Sequence, residues 1–398
     1  MTADLRTPDF DVWPITHKIA DAEANGASVR VTWDDGKSCD YHAFFLRENS
    51  PDEATIHPLS RESVISPLDL PEDLACQKVA VDAQGALVVT WSHGGHVSRY
   101  NPGWLRAHGW FDVEDQSSPQ ILWAAEDLSE PPTFDGPSAL GDDSMFLSWL
   151  EALQTYGVAR LKGLPQEDGL LERVVERIGP VRESNFGRSY TLEIKDEPDS
   201  NAFTSAPLLQ HMDMPTRECP HGLQFLYCRK NTAKGGEGLY CDGYRIAEEM
   251  RREEPEHFHS LTTDIWEHNN RARTSSYRAS GPIIETGPGG AITGLRITSW
   301  LRAPLKAPLN IQDRAYRAVR AFTARAQDER YLMRITYRPG DLLAFDNRRA
   351  LHGRAGYDAQ GGERFIEGIY ADRDDLYSKI RVLKRAQTET TPPLETQT

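Results

Sequence analysis

The chain has 398 residues and a formal net charge of −15, with 39% hydrophobic and 26% charged residues, enough to bury one large core or two smaller ones. The acidic balance argues against nucleic acid or an anionic membrane surface as a partner, and no apolar run nears the roughly 18–20 residues of a membrane span. The opening MTADLRTPDFDVW has neither the basic nor the apolar region of a leader, and five scattered cysteines (Cys39, Cys76, Cys219, Cys228, Cys241) form no CxxC, so a cytoplasmic protein with reduced thiols is expected.

In chain order, residues 1–125 read as a small β-rich domain. VRVTWDDGKSCDYHAFFLRE alternates apolar and polar residues around Asp34-Asp35-Gly36, and KVAVDAQGALVVTWSHGGHVSRY does so around Ala83-Gln84-Gly85; each pattern predicts a hairpin. A short helix is expected from Trp104 and Leu105. Residues 126–143, rich in Pro, Gly and acid, read as a linker. A helix then starts near Ser144 and ends at Gly157, followed by a strand at VARLKGL and an amphipathic helix at LLERVVERIG. From about residue 200 strands and loops dominate, interrupted by helical periodicity in YRIAEEMRREEPEHFHSL and DRAYRAVRAFTARAQDER. The end of the chain, 386–398, is polar and expected to be disordered. The expected fold is mainly β with flanking helices: a double-stranded β-helix, or jelly roll, over 144–385, joined to the small N-terminal β-rich domain.

Chemistry enters at His211-Met212-Asp213. In an extended chain, residues two apart point to one side, so His211 and Asp213 can share one metal ion while Met212 turns away. A lone HxD is common by chance. Here His352 follows the strand-like LLAFDNRRALHGR, and Arg364 comes soon after it. Two imidazoles and one carboxylate cap one face of a metal and leave the other open, which suits a non-heme Fe(II) oxygenase that needs O₂ and a cosubstrate. Arg364 stands where a guanidinium would grip the distal carboxylate of 2-oxoglutarate.

HMDMP, GLQFLYCRKNTAKGGEGLYCDGY, FDNRRALHGR and RFIEGIYADRDD together resemble the γ-butyrobetaine and trimethyllysine hydroxylase branch of the TauD-like Fe(II)/2-oxoglutarate oxygenases. The resemblance covers nearly the whole chain. It implies a jelly-roll catalytic domain, a homodimer, iron on His211, Asp213 and His352, and 2-oxoglutarate on Arg364, with O₂ as second cosubstrate. It also implies an aromatic cage for a trimethylammonium group at Phe186, Tyr190, Phe203 and Tyr370, held by cation–π attraction. Related enzymes carry a structural zinc in the first domain. Here Ser50, Asp52 and Thr55 stand in place of the three cysteines and only His96 is kept, so no zinc is expected there.

The other end of the substrate departs from the family. Met214 follows the HxD where a Tyr is expected, Ser200 replaces an Asn beside Asn201, and Trp300 and Leu301 replace an Asn pair. Arg302, Arg188 and Asn201 are therefore candidates for a rebuilt anion grip, and 2-(trimethylammonio)ethylphosphonate becomes the favoured substrate, because guanidinium geometry suits phosphonate oxygens. The alternatives are γ-butyrobetaine or trimethyllysine hydroxylation, a quaternary-amine binding protein without catalysis, and a nucleic-acid demethylase, which the charge disfavours.

Overall fold

The structure, a computed structural model, describes residues 5–111, 120–194, 201–270, 272, 275–358 and 361–390. The chain divides into two compact units, 1–116 and 117–398.

The first unit holds two three-stranded antiparallel sheets. One joins Ile19–Ala24, Ser28–Trp33 and Ser38–His42; the other joins Cys76–Val81, Leu87–Trp91 and Val97–Tyr100. Strict alternation sends Val29, Val31 and Trp33 of one sheet and Leu87, Val89 and Trp91 of the other into a single core. The helix Pro102–His108 begins where Asn101 Oδ1 accepts the backbone N–H groups of Gly103 and Trp104, with Pro102 at its first position. Where the resemblance places zinc ligands, a polar cluster is closed instead. Asp52 accepts from Thr55 Oγ1 at 3.0 Å, bonds His96 Nε2 at 2.9 Å and accepts from the Ser50 hydroxyl. Burial opposes ionisation of Asp52, but Ser50 and His96 outweigh it and hold the carboxyl below its usual range.

The second unit is a jelly roll of two sheets. The larger runs Thr133–Asp135, Val158–Lys162, Leu342–Asp346, Leu223–Asn231, Arg364–Ala371, Tyr190–Thr191. The smaller runs Leu208–His211, Ala350–Arg354, Gly238–Asp242, Met333–Ile335. The helix Asp143–Tyr156 is capped by Asp142 and ends at Gly157, whose φ of 71° is left-handed. Its apolar stripe of Phe146, Leu147, Trp149, Leu150 and Leu153 packs on the outside of the larger sheet with the helix Leu170–Ile178. Each such side chain contributes about 1.5–3 kcal/mol by burial.

Two expectations change, and the helical reading of one segment is refined. The segment 126–143 is not a plain linker. It carries the strand Thr133–Asp135, parallel to Val158–Lys162, and the helix Gly136–Gly141 capped by Asp135, since Asp followed by Pro starts helices as readily as it marks loops. YRIAEEMRREEPEHFHSL is two helices, Gly243–Glu253 and Pro255–Thr263, divided at Pro255, which cannot continue the first. The helix Arg373–Thr390 runs into the polar tail, so 386–390 are helical, and 391–398 lie outside the described residues. All five cysteines are free thiols. Among the described residues no helix is long and apolar enough to cross a membrane.

Candidate active site

The mouth between the two sheets is a cavity of about 690 Å³. Strand register builds its floor. Leu208–His211 runs antiparallel to Ala350–Arg354, and His211 lies directly opposite His352, so the imidazole centroids are 4.2 Å apart. His211 Nδ1 bonds the Leu209 carbonyl at 2.8 Å, which fixes the ring and leaves the Nε2 lone pair facing Asp213 Oδ1 at 3.3 Å. His352 Nε2 lies 3.8 Å from Asp213 Oδ2. Ligand atoms of the three residues all fall within 4.8 Å of one another.

The reason His211 and Asp213 share a side differs from simple strand alternation. The strand ends at His211. Asp213 sits in the turn that follows, and Met214 takes a left-handed φ of 59°, a conformation that costs a side-chain-bearing residue about 1–3 kcal/mol. Asn347 holds the turn: it accepts from the Asp213 N–H at 2.8 Å and donates to the Asp213 carbonyl at 2.9 Å. Met212 is buried in the core, with its N–H on the Ile297 carbonyl at 3.0 Å.

The Asp213 carboxylate is further held through Oδ2, which accepts from Tyr370 Oη at 2.7 Å and Gln224 Nε2 at 2.9 Å. Burial would raise its pKa. The neighbouring His352 and His211, with the Tyr370 hydroxyl, outweigh that and keep it ionised far below the usual range. Burial, then the adjacent His211, lowers His352 to about 3. Neutral imidazole nitrogens and an ionised carboxylate are the donor set that Fe(II) takes, so the residues fit the metal.

Arg364 lines the same cavity. Its Nε and Nη1 are buried and have no hydrogen-bond partner among the described residues, so they are ready for an incoming carboxylate. Tyr240 and Tyr337, whose hydroxyls meet at 2.6 Å, also line the cavity. Arg354 donates to the Ala206 carbonyl at 2.9 Å; burial, and then the charge of Arg364, lower its pKa to about 10.

Phe186, Tyr190, Phe203 and Tyr370 converge in that cavity. Phe186 lies 6.3 Å from Tyr190 and 6.2 Å from Phe203, and Tyr190 stacks on Tyr370 at 5.2 Å, by ring centroids. Asn201 also lines the cavity, and Trp300 leans on the His211 ring at 4.6 Å. Ser200 is outside the described residues.

Two expected residues are elsewhere. Arg188 is exposed and paired with Glu172 and Glu176 of the helix Leu170–Ile178. Arg302 turns away from the cavity after the tight turn Ser299–Leu301 and stacks over Trp266, 4.7 Å from its centroid. Neither forms an anion grip. A different guanidinium flanks the cavity wall: Arg217 lies over the Tyr277 ring at 3.5 Å and donates to Asn185 Oδ1 at 3.2 Å, and Tyr277 and Asn185 both line the cavity. The sequence reading also passed over Gln224, Asn347, Tyr240 and Tyr337. Asn347 had one visible signal, a polar amide inside the motif FDNRRALHGR.

Residues 115–370 match the family model described as taurine catabolism dioxygenase TauD, TfdA family, and residues 21–106 match that described as gamma-butyrobetaine hydroxylase-like, N-terminal. Over 382 residues the chain is 37% identical to gamma-butyrobetaine dioxygenase of Pseudomonas sp. (strain AK-1), covering 95% of this chain and 99% of that protein. The Homo sapiens protein of the same name is 26% identical over 384 residues, covering 92% and 97%. Trimethyllysine dioxygenase, mitochondrial, of Gallus gallus is 28% identical over 321 residues, covering 78% and 76%.

Proposed function

We propose, given that this chain belongs to the TauD, TfdA family of dioxygenases and carries its gamma-butyrobetaine hydroxylase-like N-terminal domain, that it hydroxylates a small trimethylammonium compound carrying an anionic group. The observation that carries this reading is the convergence of Phe186, Tyr190, Phe203 and Tyr370 in the cavity that also holds His211, Asp213, His352 and Arg364. Aromatic faces attract an alkylated cation by about 1–2 kcal/mol or more when water is excluded, and no carboxylate is needed to hold it.

His211, Asp213 and His352 would hold Fe(II), and Arg364 would hold the distal carboxylate of 2-oxoglutarate by charge-assisted hydrogen bonds. Bound iron supplies the oxidising chemistry, in which O₂ and 2-oxoglutarate are consumed, succinate and CO₂ leave, and C–H becomes C–OH. The chain's own residues position the parts. The cage would fix the cation, Leu226 and Leu208 line apolar wall, and His352, whose pKa burial holds low, would stay neutral to ligate.

At the finer level we favour 2-(trimethylammonio)ethylphosphonate. Met214, Trp300 and Leu301 line the cavity where relatives are expected to hold a carboxylate, while Asn185, Asn201 and Arg217 offer donors at that wall. The identity to the Pseudomonas protein supports γ-butyrobetaine as the second reading. Incubating the Fe(II)-loaded protein with 2-oxoglutarate, O₂ and these two amines plus trimethyllysine, then measuring succinate and hydroxylated product, separates them. Coupled product from the phosphonate alone supports the favoured substrate; product chiefly from γ-butyrobetaine replaces it. Bound iron with no coupled product from any amine removes the trimethylammonium reading. A homodimer, also expected by kinship, is tested by light scattering in solution.

A further inference from the structure

The cage and the metal triad share a hydrogen-bonded seam. Gln224 and Tyr370 are register partners on adjacent antiparallel strands. Tyr190 pairs with Gly368 on the other side of the same strand, and because Gly368 has no side chain, the Tyr190 ring lies flat over the strand and stacks on Tyr370. Gln224 Nε2 reaches both the Tyr190 hydroxyl at 2.6 Å and Asp213 Oδ2 at 2.9 Å. Tyr370 gives its own proton to the same Oδ2 at 2.7 Å. Gln224 and Tyr370 are each only 2% exposed, so both donors are shielded from bulk water.

We propose that Tyr370 and Gln224 are positioning residues that tie the aromatic cage to the metal carboxylate, so that an ammonium group entering the cage is registered at Asp213. This rests on the cage reading above. Two donors occupy Oδ2, so Oδ1, the oxygen facing His211 Nε2 at 3.3 Å, is the one that would be offered to a metal. A cation held in the cage draws electron density from the stacked Tyr190 and Tyr370 rings. The Tyr370 O–H then becomes a stronger donor, and in a dry, low-dielectric site that polarisation passes along the hydrogen bond to the carboxylate. Tyr370 thus acts through Asp213 in addition to walling the cage.

The test uses Tyr370→Phe, which keeps the ring and deletes the hydroxyl, with Gln224→Leu as a second variant should the first fail to fold. Each protein is loaded anaerobically with Co(II) and 2-oxoglutarate and titrated with γ-butyrobetaine and with 2-(trimethylammonio)ethylphosphonate. Calorimetry reports amine binding, and the visible ligand-field spectrum reports the metal. The wild-type spectrum is expected to shift in step with amine binding. Tyr370→Phe is expected to bind the amine within about threefold, because the cation–π wall remains. It loses the spectral shift and binds metal about tenfold more weakly. Gln224→Leu moves both readouts in the same direction. A Tyr370→Phe protein with the wild-type shift and metal affinity overturns the coupling, as does a wild-type protein that binds amine with no spectral change. No amine binding by the wild-type protein overturns the cage reading itself, and the coupling with it.

Discussion

Asn347 grips the main chain of Asp213 from both sides of that residue, accepting from its N–H and donating to its carbonyl at 2.8 and 2.9 Å. Its amide also donates to the His221 carbonyl at 3.0 Å, and it is fully buried. The grip holds a strained turn, because Met214 next to it stays left-handed. Asn347→Ala should therefore weaken metal binding by about ten- to a hundredfold, in the manner of other residues that orient a ligand from behind. Anaerobic metal titration reads this directly; an unchanged dissociation constant would show that the turn holds its shape unaided.

Gly368 should resist substitution for a reason local to the cage. A Cβ there would intrude into the Tyr190 ring. Gly368→Ala is expected to displace that ring and raise KM for the amine substrate about tenfold, in line with the loss of roughly 1–2 kcal/mol of cation–π contact. The KM for 2-oxoglutarate should hold, since Arg364 is no part of the cage. Equal changes in both constants would mean that the strand itself had shifted.

Two buried imidazoles give the apoprotein a pH signature. Burial first, then nearby Arg182, lowers His221 to about 4, and burial, then Arg296, lowers His268 to about 3. Neither ring has a hydrogen-bond partner among the described residues. Unfolded histidines titrate near about 6.5. Below that pH the unfolded chain takes up protons that the folded chain refuses, so stability is full above about pH 6.5 and falls toward pH 4. Each ring contributes a slope of up to about 1.4 kcal/mol per pH unit. Melting temperatures of His268→Leu across that range should show a shallower decline than wild type.

In the first unit, Asp52 ties Ser50, Thr55 and His96 together. Ser50 and Thr55 are fully buried, so removing Asp52 deprives both hydroxyls of their acceptor, although Thr55 still accepts from Arg47. Asp52→Ala should cost about 1–3 kcal/mol, seen as a lower melting temperature. EDTA should leave the melting temperature of this unit unchanged. A drop on chelation would reveal a metal requirement that the polar cluster does not meet.

His211, Asp213 and His352 were legible as a possible metal cluster because three such ligands in a strand-rich chain suit one ion, and Arg364 lines the same cavity. The aromatic positions were legible through kinship. Arg302 and Arg188 misled because a guanidinium in sequence does not declare its direction. One is drawn to the Trp266 face and the other to two glutamates. Gln224 gave no signal, and Asn347 gave only its place inside FDNRRALHGR, because their contacts come from partners distant in sequence. The register of Leu223–Asn231 against Arg364–Ala371 brings Gln224 to Tyr370, and the turn after Asp346 brings Asn347 to Asp213. Strand alternation suggested the right neighbours for a partly wrong reason, since Asp213 lies beyond the strand end.

The buried Nε and Nη1 of Arg364 have no hydrogen-bond partner among the described residues, and its charge disfavours that of Arg354 nearby. Any dicarboxylate of suitable reach relieves this, and succinate, the spent cosubstrate, keeps the very carboxylate that Arg364 would grip. On the proposed reading, succinate competes with 2-oxoglutarate for Arg364. Both acids should raise its melting temperature, monocarboxylates such as acetate should not, and turnover should slow as succinate accumulates against 2-oxoglutarate. The ratio of the two acids in the surrounding medium would then set how much of the enzyme is ready for work.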